Sequence, residues 1–380
     1  MSIVIFIIIL LVLVLVHEFG HFFTAKKFGI RVDEFGFGFP PRLFGIQRQK
    51  NGKWRFILGR KKDNETGEEN TIYSVNSVPL GGFVKIYGEE GEESEDKKSF
   101  SGQPVYIRAL VLVAGVFFNL LLAWPILTSV FLLGAPVSME SDISGENFTE
   151  KGVMILQTQE NTPAEAIGLK TGDYLLRLVS PDNEILKVSD VKEVQDFISR
   201  HAGTEIQIEY LRGAEKYSVR TIPSSKPEEG KGHLGILMDK VGILKLPFHK
   251  AVWEGLKTTV NLTAITAEAF ADFFVDLFTE RKMVSQVAGP VGIAGIVSGA
   301  AQSGWVYILQ IVALLSINLA LINFFPFPAL DGGRLLFLLF ELVKGKPLSQ
   351  KITNIAHNIG FAILIILMLA ITYRDIIRLF

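Results

Sequence analysis

His17-Glu18-Phe19-Gly20-His21 stands at the end of an almost uninterrupted apolar run, Ile3 to Val16. Residues four apart lie on one face of a helix, so the two imidazoles can hold one zinc ion while Glu18 sits beside the water to be activated. That face lies at membrane depth. Two imidazoles and a carboxylate are costly in hydrocarbon, where an ionisable side chain marks a functional site. An accidental match on a core helix is the alternative, but with six His in 380 residues the pattern seldom arises by chance. The chain has no Cys, which excludes disulfides, thiolate-bound zinc and thiol catalysis and leaves His, Asp and Glu as ligands.

A zinc site with an open position needs a third protein ligand, and Asn323-Phe324-Phe325-Pro326-Phe327-Pro328-Ala329-Leu330-Asp331-Gly332-Gly333 offers one. Pro326 and Pro328 cannot continue a helix, so the backbone unwinds there. Non-helical backbone at membrane depth is tolerated only where protein buries it or a wet cavity solvates it, which turns Asp331 toward an internal site. The depths agree: His17 lies about 21 Å along its helix at 1.5 Å per residue, and Asp331 ends a span running the same way. An interfacial Asp opening a turn before two glycines is the alternative. His201, His233, His249 and His357 read as solvent-facing or as satisfied local donors. Asn119 and Asn318 are polar groups inside spans, suited to interhelical hydrogen bonds or to the neighbourhood of the site.

The elements that must carry these residues are membrane helices. Four stretches are long and apolar enough to span: Ile3 to Phe23, Val105 to Leu133, Trp305 to Phe325 and Ile359 to Thr372, the last short unless it starts near Ile352. Lys26, Lys27, Arg31, Arg42, Arg48, Lys50 and Lys53 follow the first span, and Arg334, Lys344, Lys346 and Lys351 fill the loop before the fourth. The positive-inside rule makes both regions cytoplasmic, with both termini and everything from Gly134 to about Gly304 outside. A formal net charge of -1 gives no basic surplus for nucleic acid.

The outer region opens with a soluble unit. Gly152 to Leu156 reads as a strand, Pro163 to Ala166 as one helical turn, Tyr174 to Leu176 as a strand, Val191 to Ser199 as a helix and Glu205 to Leu211 as a strand. This order and the T-P-A-E-x-x-G-L-K-x-G-D string resemble a bacterial PDZ domain over 145–224, a module that binds peptide ends at a sheet edge. A β domain serving only as a spacer is the alternative. Ala251 to Phe278 has the spacing of an amphipathic surface helix, and Ala288 to Gly295 is rich in small residues. Between the first two spans, Phe35 to Pro41 and Pro79 to Gly88 are Gly-punctuated strands or hairpins, flanked by charged runs such as Glu89 to Lys98 that read as solvated loops.

H-E-F-G-H in the first span, A-G-V-F-F-N-L in the second, the PDZ unit and N-F-F-P-F-P-A-L-D-G-G in the third together resemble the bacterial site-2 protease family, of the regulator of sigma-E protease type. Val116 stands where the family usually has Pro, and one PDZ unit where that branch often has two. The resemblance implies an intramembrane zinc metalloprotease of the bacterial inner membrane: His17, His21 and Asp331 as ligands, Glu18 as catalytic base, and Asn323 with Pro326 and Pro328 at the substrate. It also implies that the segments holding Gly36 and Gly38 form a membrane-reentrant sheet presenting an edge to an unwinding substrate. Substrates are then single-span membrane proteins, anti-sigma factors or remnant signal peptides among them. The fold expected is an α-helical multi-pass membrane protein of about four transmembrane helices with a reentrant β region and an inserted α+β PDZ domain. Its parts are 1–134, the first two spans with the β region; 145–224, the PDZ domain; 225–304, a connector; and 305–380, the last two spans. A membrane-anchored zincin acting on soluble segments and a non-enzymatic PDZ receptor with structural zinc remain as alternatives; Glu18, which is no ligand, argues against the second.

Overall fold

The apolar run at the start of the chain is a continuous helix, α1 (Ser2–Lys27), ended by Gly29 at φ 76° with Lys26 and Lys27 in its last turn, where they complement the helix dipole. In this computed structural model the described residues are 2–49, 51–59, 70–89, 96–139, 149–159, 161–213, 215–228, 231–279, 289–346 and 348–377. The charged stretch 90–95 and the expected start of the inserted domain at Gly145 lie outside them. After α1 come β1 (Val32–Arg48), β2 (Trp54–Leu58), β3 (Ile72–Ile86), α2 (Val105–Leu133), β4 (Ala135–Ser138), β5 (Thr149–Thr158), α3 (Pro163–Ala166), β6 (Tyr174–Val179), β7 (Ile185–Lys187), α4 (Val191–Arg200), β8 (Ile206–Arg212), β9 (Glu215–Thr221) and β10 (Ile236–Leu244). The remainder is helical: α5 (Phe248–Thr279), α6 (Pro290–Ser303), α7 (Trp305–Phe324), α8 (Asp331–Lys344) and α9 (Gln350–Ile377).

Among the described residues four helices are long and apolar enough to cross a membrane: Val4–Lys27, Val105–Leu133, Trp305–Phe324 and Lys351–Ile377. They fit a multi-pass membrane protein. The fourth is longer than its apolar core suggests, because the more polar stretch from Gln350 to Asn358 belongs to the same helix. The loop expected before it holds a further amphipathic helix, α8, stopped by Gly345 in the left-handed conformation.

The chain packs as two units. The first comprises Met1–Ile126, Leu256–Gly295 and Val312–Phe380. In it α1 and α2 meet at glycine: a Cβ at Gly20 would lie 2.5 Å from the carbonyl oxygen of Ala114, so no side chain fits. Ala25, Ile30, Val32, Ile86, Val111 and Leu338 form a buried cluster joining α1, β1, β3, α2 and α8. In the sheet β1 and β3 each double back, so that Phe35 of β1 faces both Val84 and Tyr73; residues 34–37 run antiparallel to 82–85 and in the same direction as 72–75, which in turn run antiparallel to 44–47. Its segments therefore run 82–86, 32–37, 72–76, 44–48 and 54–58 from edge to edge. The first of these edges lies against α1, where an added Cβ on Gly82 would stand 2.9 Å from the Leu15 side chain.

The second unit comprises Leu127–Gly255 and Ile296–Ile311. Its sheet has the order β4-β10-β5-β6-β8-β9, with β7 on β6. Asp190 caps α4 by accepting the Lys192 N–H, and Val194, Phe197 and Ile198 on one face of that helix enter a core with Val153, Leu178 and Ile208. The strands β5, β6 and β8 and the helices α3 and α4 fall where the sequence pattern put them. The sheet, however, extends past 145–224 on both sides. β10 lies in the stretch read as a connector and pairs with both β5 and β4. It was hidden because Asp239 and Lys240 break its apolar alternation, and β4 because it is only four residues long.

Candidate active site

α1 presents His17 and His21 side by side, and the first residue of α8 meets them. His17 Nε2 lies 2.8 Å from Asp331 Oδ2, His21 Nε2 lies 3.2 Å from the same oxygen, and the two Nε2 atoms are 3.1 Å apart. Both rings are buried. These three residues are the one group among those described whose His, Asp and Glu donor atoms converge closely enough for a metal. Ligands of a tetrahedral zinc ion at about 2.0–2.1 Å stand about 3.3 Å from one another, so the donors need move apart by only a few tenths of an ångström to admit it. The outer ring nitrogen of His21 fits as well: Nδ1 is 2.8 Å from the Val111 carbonyl oxygen, which accepts the Nδ1–H and leaves the Nε2 lone pair for a cation. Room for the rings comes from Gly115 of α2. A Cβ there would stand 2.5 Å from His21 Nε2 and 2.7 Å from His17 Nε2, inside the space where the donors meet.

The loop that delivers Asp331 is built from tight turns. Phe327 N–H donates to the Phe325 carbonyl at 2.7 Å and Leu330 N–H to the Phe327 carbonyl at 3.1 Å. Ala329 sits at φ 87°, a conformation costly for any residue with a Cβ. Gly332 and Gly333 are buried against this loop, where Cβ atoms would fall on the carbonyl groups of Phe324, Phe325 and Phe327. The two glycines after Asp331 thus let the start of α8 press against the unwound backbone and fix the carboxylate in place.

Glu18 is next to the cluster without belonging to it. Its Oε2 accepts the Val84 N–H at 3.0 Å, which ties the carboxylate to the outer edge of β3. A cavity of about 280 Å³ opens beside it, lined by Val14, His17, Glu18, Leu319, Asn323, Ala329, Leu330 and Asp331. Asn323 Nδ2 is 3.5 Å from His17 Nε2. The sequence-selected residues thus divide: His17, His21, Glu18, Asn323 and Asp331 come together, whereas Pro326, Pro328, Gly36 and Gly38 do not line the cavity. The prolines shape the loop. Gly38 has φ 79° and an added Cβ would stand 2.6 Å from the Val78 carbonyl oxygen; an added Cβ on Gly36 would stand 2.8 Å from Asn76 Nδ2. Buried Asn76 in turn donates to the Gly38 carbonyl at 3.0 Å. Arg334, three residues beyond Asp331, pairs with Glu89 after β3 and links α8 to the sheet.

Sequence reasoning did not find Val84, Val111 or Gly115. The first two act through backbone atoms, which leave no side-chain signal. Gly115 was visible in A-G-V-F-F-N but had no partner until α1 and α2 were placed together.

Residues 5–60 and 57–367 match the family model described as Peptidase family M50. A Rickettsia conorii protein named as a zinc metalloprotease is 30% identical over 396 residues, covering 100% of this chain and 99% of its own. One from Clostridium perfringens with the same kind of name is 31% identical over 369 residues, covering 96% of this chain and 95% of its own. Zinc metalloprotease RasP of Shouchella clausii is 28% identical over 458 residues, covering 99% and 98%.

Proposed function

The chain belongs to peptidase family M50, and from that premise we propose that it is a zinc metalloprotease which hydrolyses peptide bonds within or beside the transmembrane segments of other membrane proteins. The observation that carries this reading is the convergence of His17, His21 and Asp331, with Glu18 beside them, on an apolar helix long enough to span a bilayer. His17, His21 and Asp331 hold the zinc. Zinc, when bound, supplies a Lewis acid that lowers the pKa of water and polarises the scissile carbonyl. Glu18 takes the proton of the attacking water and passes it to the leaving amide nitrogen. Asn323, on the cavity wall, holds the substrate backbone.

A transmembrane helix hides its carbonyls in hydrogen bonds, so the substrate must unwind before it is cut. The edge at 82–86 lies against α1 beside Glu18, and Val84 directs its N–H outward to that side, which supports strand addition there. Gly36 and Gly38 serve the substrate by holding the sheet in shape. Reentry of this sheet into the membrane is supported by the exposed apolar side chains Phe44, Ile46, Phe56, Leu58 and Tyr73, which share one face, with Trp54 at its end.

The second unit acts as a PDZ domain outside the bacterial inner membrane and controls admission, by binding chain ends or by excluding substrates whose outer domain is bulky. Both termini lie on the same side as this domain. Reporters fused after the last residue and inserted near Ser224 are expected to read the outer compartment; a cytoplasmic signal at Ser224 reverses the orientation.

The function is tested with the purified chain in lipid vesicles. A single-span protein trimmed of its outer domain is expected to be cut, the untrimmed form to be spared, and an unfolded soluble polypeptide to be left intact. Cleavage of the soluble polypeptide at a similar rate would instead support a membrane-anchored protease of soluble segments.

A further inference from the structure

We propose that Asn119 is a positioning residue for His17: its side-chain carbonyl accepts the Nδ1 proton of His17 and holds that imidazole in the tautomer whose Nε2 lone pair faces the metal. The inference rests on the zinc site proposed above and concerns a residue outside its ligand set. Asn119 belongs to α2, is wholly buried, and brings its amide to 3.3 Å from His17 Nδ1. With Nδ2 toward the ring, Oδ1 is left buried without a hydrogen-bond partner. That orientation also demands a lone pair on Nδ1 and so puts the ring proton on Nε2, the atom that points at Asp331 and His21. Turning the amide about its own axis exchanges oxygen and nitrogen in nearly the same space. Oδ1 then accepts the Nδ1–H, the amide N–H groups take the place that Oδ1 held, and the Nε2 lone pair is free.

His21 carries the same arrangement through the backbone, its Nδ1 facing the Val111 carbonyl. Val111, Gly115 and Asn119 are four residues apart in succession, so one stripe of α2 supplies a carbonyl for one ring, a gap for both rings and an amide for the other. This stripe is itself anchored. Ser316 of α7, also buried, donates its hydroxyl to the Asn119 backbone carbonyl at 2.8 Å. Outer partners of this kind fix the tautomer and orientation of a metal-binding imidazole.

The test compares Asn119→Leu, which is close in size but has no acceptor, with Asn119→Asp, which accepts but does not donate. Zinc affinity of each full-length chain is titrated against a competing chelator, with thermal unfolding of the zinc-free protein showing that it is folded. N119L is expected to weaken zinc binding by about 10–100-fold and N119D to stay within a few-fold of the parent. Equal weakening by both variants, or none in N119L, overturns the proposal. A second reading does not depend on N119D folding. In the zinc-loaded parent the His17 Nδ1–H proton resonance is expected downfield, as for a donor to oxygen, and to move upfield in N119L. A resonance unchanged in N119L also overturns the proposal.

Discussion

Glu18→Gln is expected to abolish hydrolysis while zinc stays bound and the fold persists. The carboxylate is not among the three converging donors, so its loss leaves the ligand set whole. Glutamine has the same length, and its side-chain oxygen can still accept the Val84 N–H that now holds Glu18 Oε2 at 3.0 Å. What disappears is the ability to take a proton from water and return it to the leaving nitrogen. A positioned base contributes about 10²–10⁴-fold, so the initial rate on a single-span substrate should fall by at least the lower figure. Turnover near the parent rate would remove Glu18 from the mechanism.

Asp331→Asn is expected to lose metal and activity together. The amide keeps the size of the side chain and its place in the first turn of α8, but it removes the negative charge that two neutral imidazoles leave to Asp331 alone. Asn323→Ala should behave differently. It opens the cavity wall and removes the contact with His17 but none of the three ligands, so zinc should remain while turnover falls. Elemental analysis of the two purified variants separates the roles. Full zinc occupancy in Asp331→Asn would mean that another residue completes the site.

The parts legible in the sequence are those with strong periodicity or costly chemistry. Four apolar helices and the H-E-F-G-H pair stand out because a bilayer requires length and forbids unneeded charge. Pro326, Pro328 and Asp331 were legible together because two prolines interrupt a span just before an acid. β2 was not. Arg55 interrupts five residues that lie among charged neighbours, and only pairing with 44–48 makes them a strand. α8 looks like a loop in the sequence for a related reason: its two leading glycines suggest a turn until the carbonyls of Phe324, Phe325 and Phe327 are packed against them. At the site itself the contributions of Val84 and Val111 come from backbone atoms whose positions depend on tertiary packing.

The central claim is that this cluster cuts inside a membrane span, and the most direct measurement is where the new chain end falls. Purified enzyme and a trimmed single-span substrate are incubated in lipid vesicles in ¹⁸O-labelled water, and the products are sequenced by mass spectrometry. A new C-terminus carrying ¹⁸O within the apolar segment is expected with the parent chain and absent with Glu18→Gln. Labelled termini confined to the soluble flanks, or an intramembrane cut that persists in Glu18→Gln, would contradict it.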